Sequence, residues 1–363
     1  MATRERKPMT YEAAGVSIDA GDRFVHALGS LLRRTHGPRV LDRPGGFAGL
    51  FRLDYNEELF RHNYRDPVLA ACCDGVGTKI KLAIETGDFS TVGVDLVAMN
   101  VNDLIVEGAE PLLFLDYIAC HRVDHDVLLQ VAEGISEGCR QAGCALLGGE
   151  TAEMSDLYAE GDIDLAGFSL GVVELRRATD PTRVEAGDVV LGLESDGVHS
   201  NGFTLVRAIV REAGLALDRV YEELDPERSL GEVLLTPTRI YADPIVRLLR
   251  AYRVKKVVSG MAHITGGGLA GNLDRALHDR VDAVVDPNSW ETPAVFRFLQ
   301  QHGSVEEAEM RRVFNMGIGY CLIVRPSFAG SIERRLSKTG ERVHRIGKIV
   351  KGRGRVRYRG ERG

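Results

Sequence analysis

An acid, two glycines and a lysine crowd into Asp74-Gly75-Val76-Gly77-Thr78-Lys79, directly after an apolar run that ends at Cys73. The carboxylate is the hard oxygen ligand that magnesium takes, the glycines expose backbone N–H groups, and the lysine brings a mobile positive charge. That combination suits a metal-bound phosphate. It is not a Walker A loop, because the G-x-x-x-x-G-K spacing is absent, and a plain turn between strand and helix stays open beside it. Further along, Asp95, Asn102 and Asp103 interrupt a segment that is otherwise mostly apolar, with 95 and 102 seven apart and so nearly on one helical face. Burying ionised carboxylates needs compensation, which magnesium would supply. The competing reading makes Asp95 a helix cap and leaves the Asn102-Asp103 pair in water. Asp116, on the next apolar run, is a weaker candidate of the same kind.

Three more clusters carry polar groups at the ends of apolar runs. Gly148-Gly149-Glu150-Thr151 places an acid and a hydroxyl where open α/β sheets bind ligands, or else starts a capped helix with Thr151 as cap. His199 stands in a loop with Ser200 and Asn201, and His263 precedes Thr265 and the triplet Gly266-Gly267-Gly268. Either histidine can shuttle a proton near neutral pH, although a lone histidine is more often a hydrogen-bonded structural residue. A helix after Gly268 would point unpaired N–H groups at an anion.

Rigid elements must hold these residues. The pattern predicts strands over 68–73, 112–119, 145–147 and 165–173, with helices over 22–34, 79–86 and about 95–106 and another ending at Ala142-Gly143. Strands alternating with long helices argue for a mixed α/β fold. The Thr179-Asp180-Pro181 turn divides the chain into residues 1–178 and 179–363. Beyond it, strands are expected over 189–193, 281–285 and 317–324, helices over 202–212, 293–301 and 328–336, and a strand, glycine loop and helix over 257–277. The alternating charges of Lys351 to Arg359 fit an edge strand with a solvated face, or a surface tail, better than a nucleic-acid contact.

A chain of 363 residues exceeds what one hydrophobic core serves, so two domains are the default. A formal net charge of -6 gives no general attraction to nucleic acid or anionic membrane. No apolar run approaches the ~18 residues of a membrane span, and Met1 to Thr10 lacks the apolar centre of a secretory signal, which points to the cytoplasm. Six scattered cysteines without C-x-x-C spacing read as buried thiols in a reducing compartment, not as a zinc site.

The motifs as a set resemble the phosphoribosylformylglycinamidine cyclo-ligase family. They are AGVSIDA at 14–20, DGVGTK at 74–79, VDLVAMNVNDLIV at 94–106, GAEP at 108–111, GGETAEM at 148–154, DGVHSNG at 196–202, TPTRIY at 236–241, HITGGG at 263–268 and FNMGIGY at 314–320. The resemblance implies ATP-dependent closure of formylglycinamidine ribonucleotide to 5-aminoimidazole ribonucleotide, with ADP and phosphate as the other products and Mg2+ as cofactor. It further implies a homodimer whose N-terminal domains join through a closed β-barrel, each flanked by a C-terminal mixed α/β domain that binds substrate. Carried over by motif, Asp74, Gly75, Gly77, Thr78, Lys79, Asp95, Asn102, Asp103, Glu150 and Thr151 would hold nucleotide, with Asp74, Asp95 and Asp103 on the metal. Ser200, Asn201, Thr265, Gly266, Gly267 and Gly268 would hold substrate, Lys79 would stabilise the transferring phosphoryl group, and His199 or His263 would carry a proton. Cys72-Cys73 before Asp74, the extra stretch at 53–64 and the tail after Val350 depart from the family pattern. A related ATP-using phosphotransferase, or a nucleotide-binding scaffold without turnover, is the alternative; formation of an imidazole product separates them.

Overall fold

The computed structural model describes residues 18–41, 49–52, 64–252 and 254–360; the first half of the AGVSIDA motif and nearly all of the 53–64 stretch lie outside them. The chain opens with α1 (Ile18–Thr35), followed by the short strands β1 (Val40–Leu41) and β2 (Leu50–Phe51). Next come β3 (Pro67–Gly75), α2 (Lys79–Thr86), α3 (Val92–Val106), β4 (Glu110–Cys120), α4 (His125–Ala142), β5 (Ala145–Glu153) and β6 (Ile163–Glu174). A four-stranded sheet runs in the order β3-β6-β4-β5, with β4 and β5 parallel and the other neighbours antiparallel.

Helix α3 is buried almost all round, as a helix that is apolar on every side must be. It meets α4 backbone to backbone: a Cβ on Gly93 would fall 2.2 Å from the Val131 carbonyl oxygen. Helix α4 is well bounded, since the Asp124 carboxylate accepts from the N–H groups of Asp126 and Val127 and Gly143 closes the far end at φ 71°. The sheet face turned away from these helices is bare and apolar in part, with Leu69 53% and Phe168 42% exposed.

The second half continues with β7 (Val189–Glu194), α5 (Phe203–Glu212), α6 (Leu230–Leu234), α7 (Ala242–Ala251), β8 (Val258–His263) and α8 (Gly268–Leu273). It ends with β9 (Val281–Val285), α9 (Ala294–Gly303), α10 (Glu307–Val313), β10 (Ile318–Val324), α11 (Pro326–Ser337), β11 (Val343–Lys351) and β12 (Val356–Tyr358). Its sheet order is β12-β9-β11-β7-β10-β8, antiparallel except where β12 joins β9. The architecture is thus mixed α/β, with sheets of mixed strand direction.

Most predicted elements appear within a few residues of their expected bounds. One does not: the short strand over 145–147 runs on to Glu153, because the Gly148–Glu153 stretch pairs with β4, Tyr117 opposite Glu150 and Ile118 opposite Thr151. Glu150 and Thr151 are therefore strand residues, not a loop or a capped helix start. The basic C-terminal stretch does form an edge strand, β12, anchored where Asp282 accepts from the Arg353 and Arg355 N–H groups and pairs with Arg357 at 3.1 Å. No helix among the described residues is long and apolar enough to cross a membrane.

Candidate functional site

Helix α3 joins the two halves of the chain through a buried polar seam. Lys79 Nζ lies 2.8 Å from Asp95 Oδ2 with both side chains fully buried, and it also donates to the Thr236 carbonyl oxygen at 2.8 Å. Asp95 Oδ1 accepts from the Thr238 backbone N–H at 2.7 Å and its hydroxyl at 2.6 Å. Two turns on, Asn102 Oδ1 accepts from the Tyr241 N–H at 2.9 Å while its amide donates to the Arg239 carbonyl at 2.8 Å. The TPTRIY stretch is thereby strapped across α3. Burial pulls Lys79 below the ordinary ammonium range and pushes Asp95 above the ordinary carboxylate range, and their contact with each other opposes both shifts.

In this geometry Lys79, Asp95 and Asn102, expected to hold nucleotide, are engaged by protein partners. Turning Asp95 to a metal would strand Lys79 as an uncompensated buried charge, which costs several kcal/mol, on the order of 3–5. The seam is filled by the protein's own partners.

Asp103, next on the same helix, behaves differently. Its Oδ1 lies 2.8 Å from His263 Nδ1 at the end of β8; the histidine side chain is 1% exposed and the aspartate 39%. A carboxylate on Nδ1–H fixes the tautomer that leaves the Nε2 lone pair free, and Nε2 is buried without a partner. The imidazole stacks on Tyr320, ring centres 6.4 Å apart at 30°. Asp74, at the end of β3, lies within electrostatic reach of both. Burial raises its carboxyl pKa first of all, the Gly75 N–H at 2.7 Å works against that, Asp103 raises it and His263 lowers it. The same surroundings push the neighbouring Cys72 thiol up to about 12, first by burial and then through Asp103 and Asp74, so it stays protonated.

Three loops frame this mouth. Gly77, at φ 69° with open space where a Cβ would go, turns the 74–79 loop toward the second half, where the Thr78 and Thr204 hydroxyls meet at 3.1 Å. Ser200 donates to the Val76 carbonyl at 2.7 Å, and the Asn201 amide reaches Met99 Sδ at 3.7 Å while its Oδ1 comes close to Gly266. His199, strained at φ 67°, accepts on Nε2 from the Asp196 and Arg239 N–H groups at 3.3 and 3.5 Å. Burial, and then the positive charge that His263 can carry, hold His199 well below its ordinary pKa. It is a neutral brace between loop and strap; its Nδ1, like His263 Nε2, is buried without a partner, and it is His263 that meets Asp103.

The Thr265–Gly268 turn is organised by Asn272, whose amide donates to the carbonyls of Thr265, Gly266 and Gly268 and whose oxygen accepts from the Thr265 hydroxyl at 3.2 Å. Thr265 and Gly268 are thus committed inside the fold, and a Cβ on Gly268 would fall 1.9 Å from the Arg311 carbonyl oxygen. Of the expected anion cradle, Gly266 and Gly267 are exposed while Gly268 is buried, and the helix that follows, α8, has only six residues. Gly75 is likewise closed in, 2.9 Å from the Leu165 carbonyl at the position of a Cβ.

The donor set fits magnesium in a reduced form. Among the described residues no three histidine, cysteine or acidic side chains gather to cage a metal by themselves. Magnesium on nucleotide phosphates takes only one or two carboxylates, and Asp74 and Asp103 supply two whose mutual repulsion a divalent cation would relieve. Sequence reasoning missed Thr238, Arg239 and Tyr241 as partners of α3. The polar residues were visible in TPTRIY, but nothing in their spacing says which helix they grip.

Comparison with known proteins agrees over most of the chain. The N-terminal domain of the AIR synthase related proteins matches residues 61–173 and the C-terminal domain matches 185–359. The chain is 48% identical over 342 residues to a phosphoribosylformylglycinamidine cyclo-ligase of Nitrosospira multiformis, covering 94% of this chain and 93% of the relative. It is 50% identical over 344 residues to the one of Sorangium cellulosum, covering 94% and 95%. Among solved structures, a thiamine-monophosphate kinase from Stenotrophomonas maltophilia shares the fold, with a TM-score of 0.66, 20% identity and coverage of 93% and 97%.

Proposed function

The chain belongs to the AIR synthase related family, with both of its domains present in order, and from that premise we propose that it is an ATP-dependent cyclo-ligase of purine biosynthesis. It closes formylglycinamidine ribonucleotide to 5-aminoimidazole ribonucleotide, as the names of its relatives at 48–50% identity describe. The observation that carries the chemistry is the pairing of Asp103 with His263 across the seam, beside Asp74.

The formyl-amide oxygen takes the γ-phosphoryl group of ATP and ADP leaves. The amidine nitrogen then attacks that carbon, the new C–N bond forms, and the oxygen departs with phosphate. Proton loss completes the aromatic ring. His263 Nε2, free and held in its tautomer by Asp103, is the group that accepts a proton here. Magnesium, when bound through Asp74 and Asp103, supplies charge neutralisation at the transferring phosphoryl group. Gly266 and Gly267, beside Asn201, are the backbone positions left open to the substrate's phosphate.

Residues 1–178 and 179–363 form the two domains, a division supported by the gap between the two family matches. The bare sheet face around Leu69 and Phe168 is covered by the same face of a second copy, giving a homodimer built through a β-barrel. The protein works in the cytoplasm.

Purified protein given ATP, magnesium and formylglycinamidine ribonucleotide should yield the aminoimidazole product and one phosphate per ring, read by mass spectrometry. A phosphorylated substrate that never cyclises would overturn the assignment.

A further inference from the structure

At the far end of the four-stranded sheet from Asp74, a cleft of about 930 Å³ opens between the two halves of the chain. Strand β3 alone separates the two places, roughly 23 Å at about 3.3 Å per residue from Pro67 to Asp74. Seven arginines and lysines line the cleft against two carboxylates, a surplus of five positive charges in a chain whose formal net charge is -6.

Both carboxylates are already engaged, and Asp180 beside the cleft pairs with Arg183 at 3.5 Å. Glu110 pairs with Arg250, and Glu174 accepts from the Arg65 N–H at 2.8 Å as well as meeting Arg176 at 3.2 Å. Arg176 and Arg177 lie on the short turn after β6, Arg183 on the next turn and Lys256 just before β8, so three separate segments bring like charges together. Lys256 registers the crowding: burial, then Arg183, then Arg176 and Arg177 hold it below its ordinary value, with Asp180 opposing. Bringing cations together costs free energy that a bound anion offsets. Guanidinium forks match phosphate oxygens, and a surplus of this size suits several phosphates better than one. The floor is apolar, from Val173, Val246 and Val257, with the ring of Tyr252 at its side.

We propose that this cleft is a second ligand site, taking a nucleoside polyphosphate with its phosphates among Arg176, Arg177, Arg183 and Lys256 and its base on the apolar floor. It is separate from the Asp74, Asp103 and His263 mouth and does not depend on the ring-closure reading. A ligand there contacts the end of β6, the connection to β7 and the start of β8 together, and so braces the two halves against each other.

The test is equilibrium dialysis of the whole protein with the hydrolysis-resistant probe β,γ-imido-ATP and magnesium. Comparison is between wild type, the exposed double substitution Arg176→Glu with Lys256→Glu, and its neutral counterpart Arg176→Gln with Lys256→Gln. Charge reversal should remove one bound equivalent per chain, and the neutral pair should weaken that same equivalent at least tenfold. The wild-type equivalent should also weaken as salt rises from 50 to 300 mM, roughly the range over which screening sets in. Binding that is identical in wild type and both variants overturns the proposal, whether one equivalent is bound or two. Inorganic triphosphate binding to the cleft as tightly as imido-ATP overturns the role given to the apolar floor. If Asp74→Asn leaves every equivalent in place, the mouth fails as a nucleotide site and the cleft stands, so the two readings fail separately.

Discussion

The seam and the mouth draw on the same two stretches of sequence and put them to opposite uses. In the seam, Lys79, Asp95 and Asn102 are buried and spend their hydrogen-bonding capacity on Thr236, Thr238, Arg239 and Tyr241. In the mouth, Asp74 and Asp103 remain reachable, and His263 keeps a nitrogen with no partner. Asn102 and Asp103 are adjacent, yet one fastens and the other faces the mouth. Two polar residues on one helix are thus sorted by what the other half of the chain offers them, and an acid-rich helix is not in itself a metal site.

The largest effect should come from breaking the seam. Lys79→Met leaves Asp95 buried without its cation and should cost about 3–5 kcal/mol in urea unfolding. Adding Asp95→Asn, which removes the charge and keeps the oxygen that Thr238 donates to, should recover at least half of that loss. A single substitution that unfolds like wild type would show that the pair fastens nothing.

The mouth should respond the other way round. Asp103→Asn preserves an acceptor for His263 Nδ1 but removes the carboxylate charge that lies against the ring, so the ring-closure rate should fall by about 10²–10⁴. Stability should stay within roughly 1 kcal/mol of wild type. Equal losses of stability and activity would move Asp103 into the seam.

Asp116 sharpens the comparison, because burial acts on it without a cation to oppose it. Its pKa is raised to about 7, against an unfolded value near 3.9. Between those values the folded chain binds more protons than the unfolded one, so this group makes stability fall as pH rises from about 4 to about 7, with no further loss above. Asp116→Asn should flatten that part of the stability profile. An unchanged slope would mean that Asp116 is solvated like any surface acid. The smallest effect belongs to the rim: Thr204→Ala loses only an exposed contact with Thr78, and unfolding should change by less than about 0.5 kcal/mol.

Much of this was legible before any coordinates. Local patterning was enough for α2 and for β9, whose bounds match, and for the basic edge strand β12. It failed at Gly148 to Glu153, where pairing with β4 overrides the low strand propensity of a Gly-Gly pair. The candidate site residues stand out in the sequence as a group but are not sorted there. Asp95 and Asp103 are equally acidic in sequence, and what separates them is Thr238 and His263, each more than 140 positions away. Burial of Lys79 was likewise invisible, since a lysine after a glycine turn reads as mobile until its partner on the neighbouring helix is known.

The strap across α3 also bears on how the chain is made. Translation adds about 5–20 residues per second, and Tyr241 follows Asn102 by 139 positions. For roughly 7–28 s, then, the emerging first half holds a lysine at the start of one helix and an aspartate and an asparagine in the next, whose fastening has not yet been synthesised. During that interval water must satisfy those groups, which keeps the helix from settling into its final packing. The newborn chain is most exposed to proteases and to its neighbours on the same messenger at that stage, and it leaves that state when residues 236–241 clear the ribosome.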